Sequence, residues 1–197
     1  MGKVFGLTGS IASGKSTVSN VLKECNIPIV DADIIAKEVV ENGQPAYKKI
    51  IEAFGPEIVL QNGEINRPLL GSIIFNDKEK RLQLNSIVHP EVRRVMLERT
   101  NTYLASGETL VIMDIPLLYE SNLVHLVEKV IVVTVNEETQ LSRLMRRNHL
   151  TREEAISRIS SQIPVKEKEA RADFVIDNNG NLDETKKQVM DLLKKIK

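Results

Sequence analysis

Five short apolar runs punctuate the chain: Val4–Leu7, Ile27–Val30, Leu110–Met113, Val130–Val135 and Phe174–Ile176. None alternates cleanly between apolar and polar, so each suits a strand buried on both faces, as in a parallel sheet. Between them apolar residues return at helical spacing. Val18, Val21, Leu22 and Cys25 form one stripe after the first run, and Leu182, Val189, Met190, Leu193 and Ile196 form an amphipathic helix at the other end of the chain. Strands alternating with helices predict a three-layer α/β fold around a five-stranded parallel sheet, with right-handed crossovers. Ligands of such sheets bind beyond the carboxyl ends of the strands, so functional residues are expected just after each run.

The stretch from Val30 to Leu110 is far longer than an ordinary crossover. Its apolar residues keep a helical period (Ile50, Ile51, Phe54; Val88, Val92, Val95, Met96), which predicts a helical insert domain over 37–107 with turns at Gly43–Pro45 and Gly63–Pro68. The core domain is then 1–36 with 108–197. Further on, Thr151 followed by Glu154 is a capping-box signature, so one helix is expected to end near Asn148 and another to start at Thr151. Residues 143–171 carry eight Lys/Arg against four Asp/Glu. A solvated helix pair would have such a face, but beside a phosphate site this local excess predicts a lid over about 137–170.

Composition narrows the classes. With 27 basic and 27 acidic residues the formal net charge is zero, which argues against a general nucleic-acid binder. The single cysteine, Cys25, can form neither an internal disulfide nor a cysteine zinc cluster, and its place on a helical stripe predicts a buried thiol. No apolar run is long enough for a membrane span and none reads as a secretory leader, so a cytoplasmic protein is expected.

The chemistry begins at residues 9–16, GSIASGKS. Gly9, four free positions, then Gly14, Lys15 and Ser16 make the phosphate-loop pattern, set between a strand and a helix as it must be. Glycines let successive N–H groups converge on phosphate oxygens, and the helix N-terminus adds partial positive charge. Lys15 can reach the outer phosphates, and Ser16 can ligate Mg2+. These residues predict a P-loop NTPase fold that binds a nucleoside triphosphate.

Asp31 and Asp33 follow the second run. If the backbone stays extended through Ala32 they face the same way, one near the metal and the other orienting an acceptor hydroxyl and taking its proton. The alternative is that one of them caps a helix starting at Ile34. Asp114 closes the third run, where many P-loop proteins carry an acid near magnesium, directly or through water. Pro116, Leu117 and Leu118 predict a wall beside the site. His89 and Arg93, in the insert, say little alone, although Arg93 could meet a phosphate by a bidentate bond. Arg143 and Arg147 share a helix face and are candidates for ATP, with Arg146 on a neighbouring face less favoured.

Taken together, GLTGSIASGKST at 6–17, DADIIAKEVV at 31–40, HPEVR at 89–93, VIMDIPLLYE at 111–120, the lid stretch at 143–164 and ADFVIDNNG at 172–180 resemble the dephospho-coenzyme A kinases. The resemblance runs from residue 3 to about 182, with Tyr119 standing where that family commonly has Phe. It implies an ATP-dependent kinase that phosphorylates the ribose 3′-hydroxyl of dephospho-coenzyme A to give coenzyme A and ADP, with Mg2+ accompanying ATP. It also implies roles by residue. Ala12, Ser13, Gly14, Lys15, Ser16 and Thr17 would hold the phosphates, Asp33 would be the catalytic carboxylate, and His89 and Arg93 would serve the acceptor. Asp114 would be the strand-end acid, and Arg143 and Arg147 lid arginines. A nucleoside-monophosphate kinase would share the loop and lid, but the D-A-D and H-P-x-V-R segments speak against it. A GTP-dependent switch would explain Asp177–Gly180 as D-x-x-G, but that segment follows the wrong strand and no N-K-x-D motif exists.

Overall fold

A computed structural model describes residues 2–75 and 77–196, which divide into two compact units. One takes in the chain up to Val30 and from Thr100 onward; the other is Asp31–Arg99.

The first unit is built on a five-stranded sheet in the order β2-β3-β1-β4-β5: β1 Lys3–Gly9, β2 Ile29–Asp31, β3 Leu110–Asp114, β4 Lys129–Thr134 and β5 Phe174–Asp177. The β1–β3, β1–β4 and β4–β5 pairs are all parallel. Connections leave β1 toward one edge and return past it toward the other, so the end of β1 is the topological switch point of the sheet. Leu7, Ile112, Ile131 and Val133 are fully buried against Val18, Val21 and Leu22 of α1 (Lys15–Glu24) and Val189, Leu192 and Leu193 of α9 (Leu182–Ile196). On the opposite face Val111, Met113, Val130 and Val132 are buried too, which is why these strands read as unbroken apolar runs.

The second strand begins two residues later than its apolar run. Asn26 takes the left-handed conformation (φ 58°), and the N–H groups of Asn26 and Ile27 bond back to Lys23 and Leu22. That closes α1 in a Schellman motif, so Ile27 still belongs to the helix end. Pro28 has no N–H to give a ladder, although its carbonyl accepts from Ile112. Cys25, at the same turn, is half-buried rather than buried, its thiol 3.5 Å from Met190 Sδ.

The second unit is helical: α2 Ala32–Glu38, α3 Pro45–Phe54, α4 Arg67–Phe75 and most of α5 Lys78–Ala105. Its own core gathers Tyr47, Ile50, Phe54, Ile58, Ile65 and Leu70. The Tyr47 hydroxyl donates to the Gly63 carbonyl, which ties the turn between the helices to that core.

Returning to the first unit, α6 is Glu137–Asn148 and α7 is Arg152–Ser160, with α8 at Val165–Ala170. The Thr151–Glu154 capping box is complete: Thr151 Oγ1 accepts from the Glu154 amide and Glu154 accepts from the Thr151 amide. The break at 149–151 is therefore written locally, by a left-handed His149 (φ 53°) and this cap.

Candidate active site

Beyond β1 the chain curls from Gly9 into α1, with the Ser13 amide bonded to the Ser10 carbonyl at 3.1 Å. Two positions force the curl. A Cβ on Gly9 would lie 2.5 Å from Ser13 Oγ, and one on Gly14 would lie 2.0 Å from Asn178 Nδ2. Gly14 also has φ 83°, a conformation that a side chain resists. No side chain caps α1, and although the Thr17 amide bonds the Gly14 carbonyl at 2.9 Å, the helix N-terminus still presents partial positive charge to an anion.

Lys15 Nζ donates to Asp114 Oδ1. The carboxylate is 2% exposed at the end of β3, where Leu7 of β1 lies in register with it. Parallel pairing of β1 and β3 thus brings the loop lysine and the strand-end acid together from positions 99 residues apart.

A cavity of about 870 Å³ opens beside the loop, lined by Ala12, Gly14, Ser16 and Thr17 on one side and Arg143, Arg146 and Arg147 of α6 on the other. Arg143 and Arg147 face it as the helical spacing expected, and so does the less favoured Arg146. The Arg143 guanidinium is held by a 3.0 Å bond to the Asn178 carbonyl. Asn178 is the node that sequence reasoning passed over. Its amide donates to the Ser13 carbonyl at 2.9 Å, its Oδ1 accepts from Thr185 at 2.8 Å, and its backbone N–H bonds Thr134. The Asp177–Gly180 segment, dismissed as a false switch motif, thus braces the phosphate loop. Two glutamines missed in the sequence, Gln140 and Gln162, also reach the loop, both at Ile11.

The stretch after β3 is anchored deep. Leu118 is fully buried, while Leu117 is largely exposed. Lys168 of α8, itself fully buried, meets Glu120 at 2.7 Å, and Glu120 also accepts from the Ile163 amide. Tyr119 is buried with the Arg171 guanidinium 4.4 Å from its ring centroid. Burial pushes its phenol pKa up, against the opposing charge of Arg171.

In the second unit, helix α2 begins at Ala32, so the extended backbone on which the Asp31–Asp33 alternation rested is absent. Asp31 is the N-cap, its Oδ1 accepting from the Asp33 and Ile34 amides at 2.9 and 3.0 Å. That is the capping role weighed as the alternative, with the helix starting two residues earlier. Asp33 stands exposed in the first turn. His89 and Arg93 are one turn apart on α5, which continues through Pro90. Partial desolvation, then the Arg93 charge, hold the His89 pKa below its ordinary value, so the ring is neutral at pH 7.

A phosphate loop at the switch point of a parallel sheet, a lysine paired to a strand-end acid and an arginine-lined cavity define a P-loop kinase. The family model described as Dephospho-CoA kinase matches residues 3–184, and the chain belongs to that family. A Bacillus thuringiensis relative named Dephospho-CoA kinase is 56% identical over 98% of this chain and 96% of its own. Among solved structures, a Thermus thermophilus protein superposes with TM-score 0.83 at 33% identity, covering 100% of this chain and 98% of that one. A Campylobacter jejuni dephospho-CoA kinase does so with TM-score 0.77 at 31% identity, over 100% and 98%.

Proposed function

We propose that this chain transfers the γ-phosphoryl group of ATP to the ribose 3′-hydroxyl of dephospho-coenzyme A, yielding coenzyme A and ADP in the cytoplasm. Family membership supplies the substrate pair, and the observation that carries the chemistry is the Lys15–Asp114 pair set beside a glycine-built phosphate loop. In this reading the loop Ala12–Thr17 holds the phosphates, with the Ser13 and Thr17 amides bracing it from within, and Lys15 Nζ turns from Asp114 toward the γ-phosphoryl oxygens. Arg143 and Arg147, which already line the cavity, complete the positive wall that stabilises the charge. The transferring group passes through a loose transition state in which positioning dominates.

Among the described residues no cluster of three or more His, Cys, Asp and Glu could hold a metal ion, so a cage of protein carboxylates does not fit. Mg2+ needs only one or two protein oxygens alongside phosphates and water, and the Ser16 hydroxyl and Asp114 carboxylate are hard donors of that kind. Bound there, it would neutralise charge on the β- and γ-phosphates. Asp31 is less suited, since one of its oxygens already caps α2. Asp33 is assigned to the acceptor: it holds the 3′-hydroxyl and takes its proton late, as the new O–P bond forms and the bond to ADP breaks. Arg93 and the neutral His89 would grip the acceptor by hydrogen bonds.

Mass spectrometry of dephospho-coenzyme A incubated with enzyme, ATP and Mg2+, with AMP and adenosine as competing acceptors, tests this. A product one phosphoryl group heavier from dephospho-coenzyme A alone is expected. Turnover of AMP instead would keep the phosphate chemistry and overturn the acceptor.

A further inference from the structure

Ile11, in the middle of the phosphate loop, is held at both ends of its backbone by glutamine side chains from distant elements. Its N–H donates to Gln162 Oε1 at 2.8 Å, and its carbonyl accepts from Gln140 Nε2 at 2.9 Å. The partner types fix each amide's orientation, because a backbone N–H requires an acceptor and a carbonyl requires a donor. Gln140, in the first turns of α6, is only 3% exposed. Gln162 lies between α7 and α8, where its neighbour Ile163 is bonded to Glu120, the partner of buried Lys168.

We propose that Gln140 and Gln162 are positioning residues of the phosphate loop: together they fix the peptide planes on either side of Ile11 and so aim the Ala12 amide at the triphosphate. In a trans peptide the carbonyl and the following N–H point in opposite directions. Gln140 holds the Ile11 carbonyl, so the Ala12 N–H of the same peptide is fixed on the opposite side of that peptide, on a residue that lines the cavity. Ala12 itself has φ 60°, a left-handed conformation that a residue with a Cβ adopts only when its surroundings impose it. The Ser13 amide's bond to the Ser10 carbonyl closes the turn around Ala12 and the glutamines hold its Ile11 corner, so Gln162 makes the α7–α8 segment part of the loop's support. The proposal rests on the reading that this loop takes ATP phosphates.

The test uses amide hydrogen exchange by NMR on the nucleotide-free protein, with ATP affinity by calorimetry. Gln162→Leu is expected to speed exchange at the Ile11 amide by about tenfold, the worth of one such hydrogen bond. Gln162→Glu still accepts, and should restore the protection. Gln140→Leu and Gln140→Glu should both weaken ATP binding by about tenfold, since neither donates to the Ile11 carbonyl. The affinity for dephospho-coenzyme A should stay within about twofold of the starting protein in all four. Unchanged Ile11 exchange in Gln162→Leu, native ATP affinity in Gln140→Glu, or faster exchange spread through the β1 and β4 amides would each overturn the proposal. Because the readouts are exchange and ATP affinity, they stand even if the acceptor proves to be another alcohol.

Discussion

At Gly14 one hydrogen in place of a methyl group decides whether the phosphate loop can close on Asn178. The added Cβ of Gly14→Ala would lie 2.0 Å from the Asn178 amide nitrogen, which is itself bonded to the Ser13 carbonyl and fixed by Thr185. Asn178 cannot step aside without releasing the loop, and φ 83° strains any replacement. Gly14→Ala is therefore expected to weaken ATP binding by at least about tenfold in a calorimetric titration, one hydrogen bond's worth plus strain. Lys15→Ala should lower the transfer rate by about two to three orders of magnitude, as when one preorganised donor to a transition-state charge is removed. A rate within a few-fold of the unaltered enzyme in a single-turnover assay would remove Lys15 from that role. The residues that were legible in the sequence are of this kind. Gly9, Gly14, Lys15 and Ser16 carry their chemistry in their own spacing. Gln140, Gln162 and Asn178 do not, because each reaches the loop across more than 120 positions and looks, in a linear reading, like a solvated polar residue.

Elements were legible where their ends are written locally. The Thr151–Glu154 box marks the start of α7 because both partners lie within four residues, whereas β2 was misplaced by two residues since a Schellman turn borrowed Ile27 from an apolar run that otherwise reads as strand. Asp31 shows the same limit: alternation assumed extended backbone, and the helix N-terminus claimed the side chain first. A testable consequence lies at the sheet edge. Asp173, just before β5, accepts from Lys129 Nζ at 2.7 Å and from the Val130 amide at 2.9 Å, joining β5 to β4. Desolvation is the largest influence on its pKa and raises it. The hydrogen bonds and charge from Lys129 and Val130 outweigh that and leave the carboxyl below its ordinary value. A carboxyl depressed on folding stabilises above its unfolded pKa, about 3.9, and that contribution is lost as pH falls through the folded value. Asp173→Asn should accordingly lower the melting temperature most between about pH 6 and 8, where the parent's contribution is fully present, and flatten the fall below about pH 4, where that contribution is being lost anyway. An acid limb identical to that of the parent would show that β5 is held without this carboxylate.

At the scale of the whole molecule, the residues assigned to ATP all belong to the sheet unit, and those assigned to the acceptor, Asp33, His89 and Arg93, all belong to the helical unit. Each unit has its own buried core, so a surface substitution in one leaves the packing of the other intact. That separation makes the division of labour measurable. Asp33→Asn keeps the size of an exposed side chain in the first turn of α2 and leaves the Asp31 cap untouched, so folding should be preserved. It removes a carboxylate that could take the hydroxyl proton, which is worth about two to four orders of magnitude in kcat for a positioned general base. ATP affinity should stay within about twofold, since no group lining the phosphate cavity has changed. Arg93→Ala should do the reverse within the acceptor side, raising KM for dephospho-coenzyme A by about tenfold or more while moving kcat less, as expected for loss of a bidentate anion grip. If instead Asp33→Asn weakens ATP and spares kcat, the carboxylate serves the nucleotide, and the base must be sought among the acids at the strand ends, beginning with Asp114.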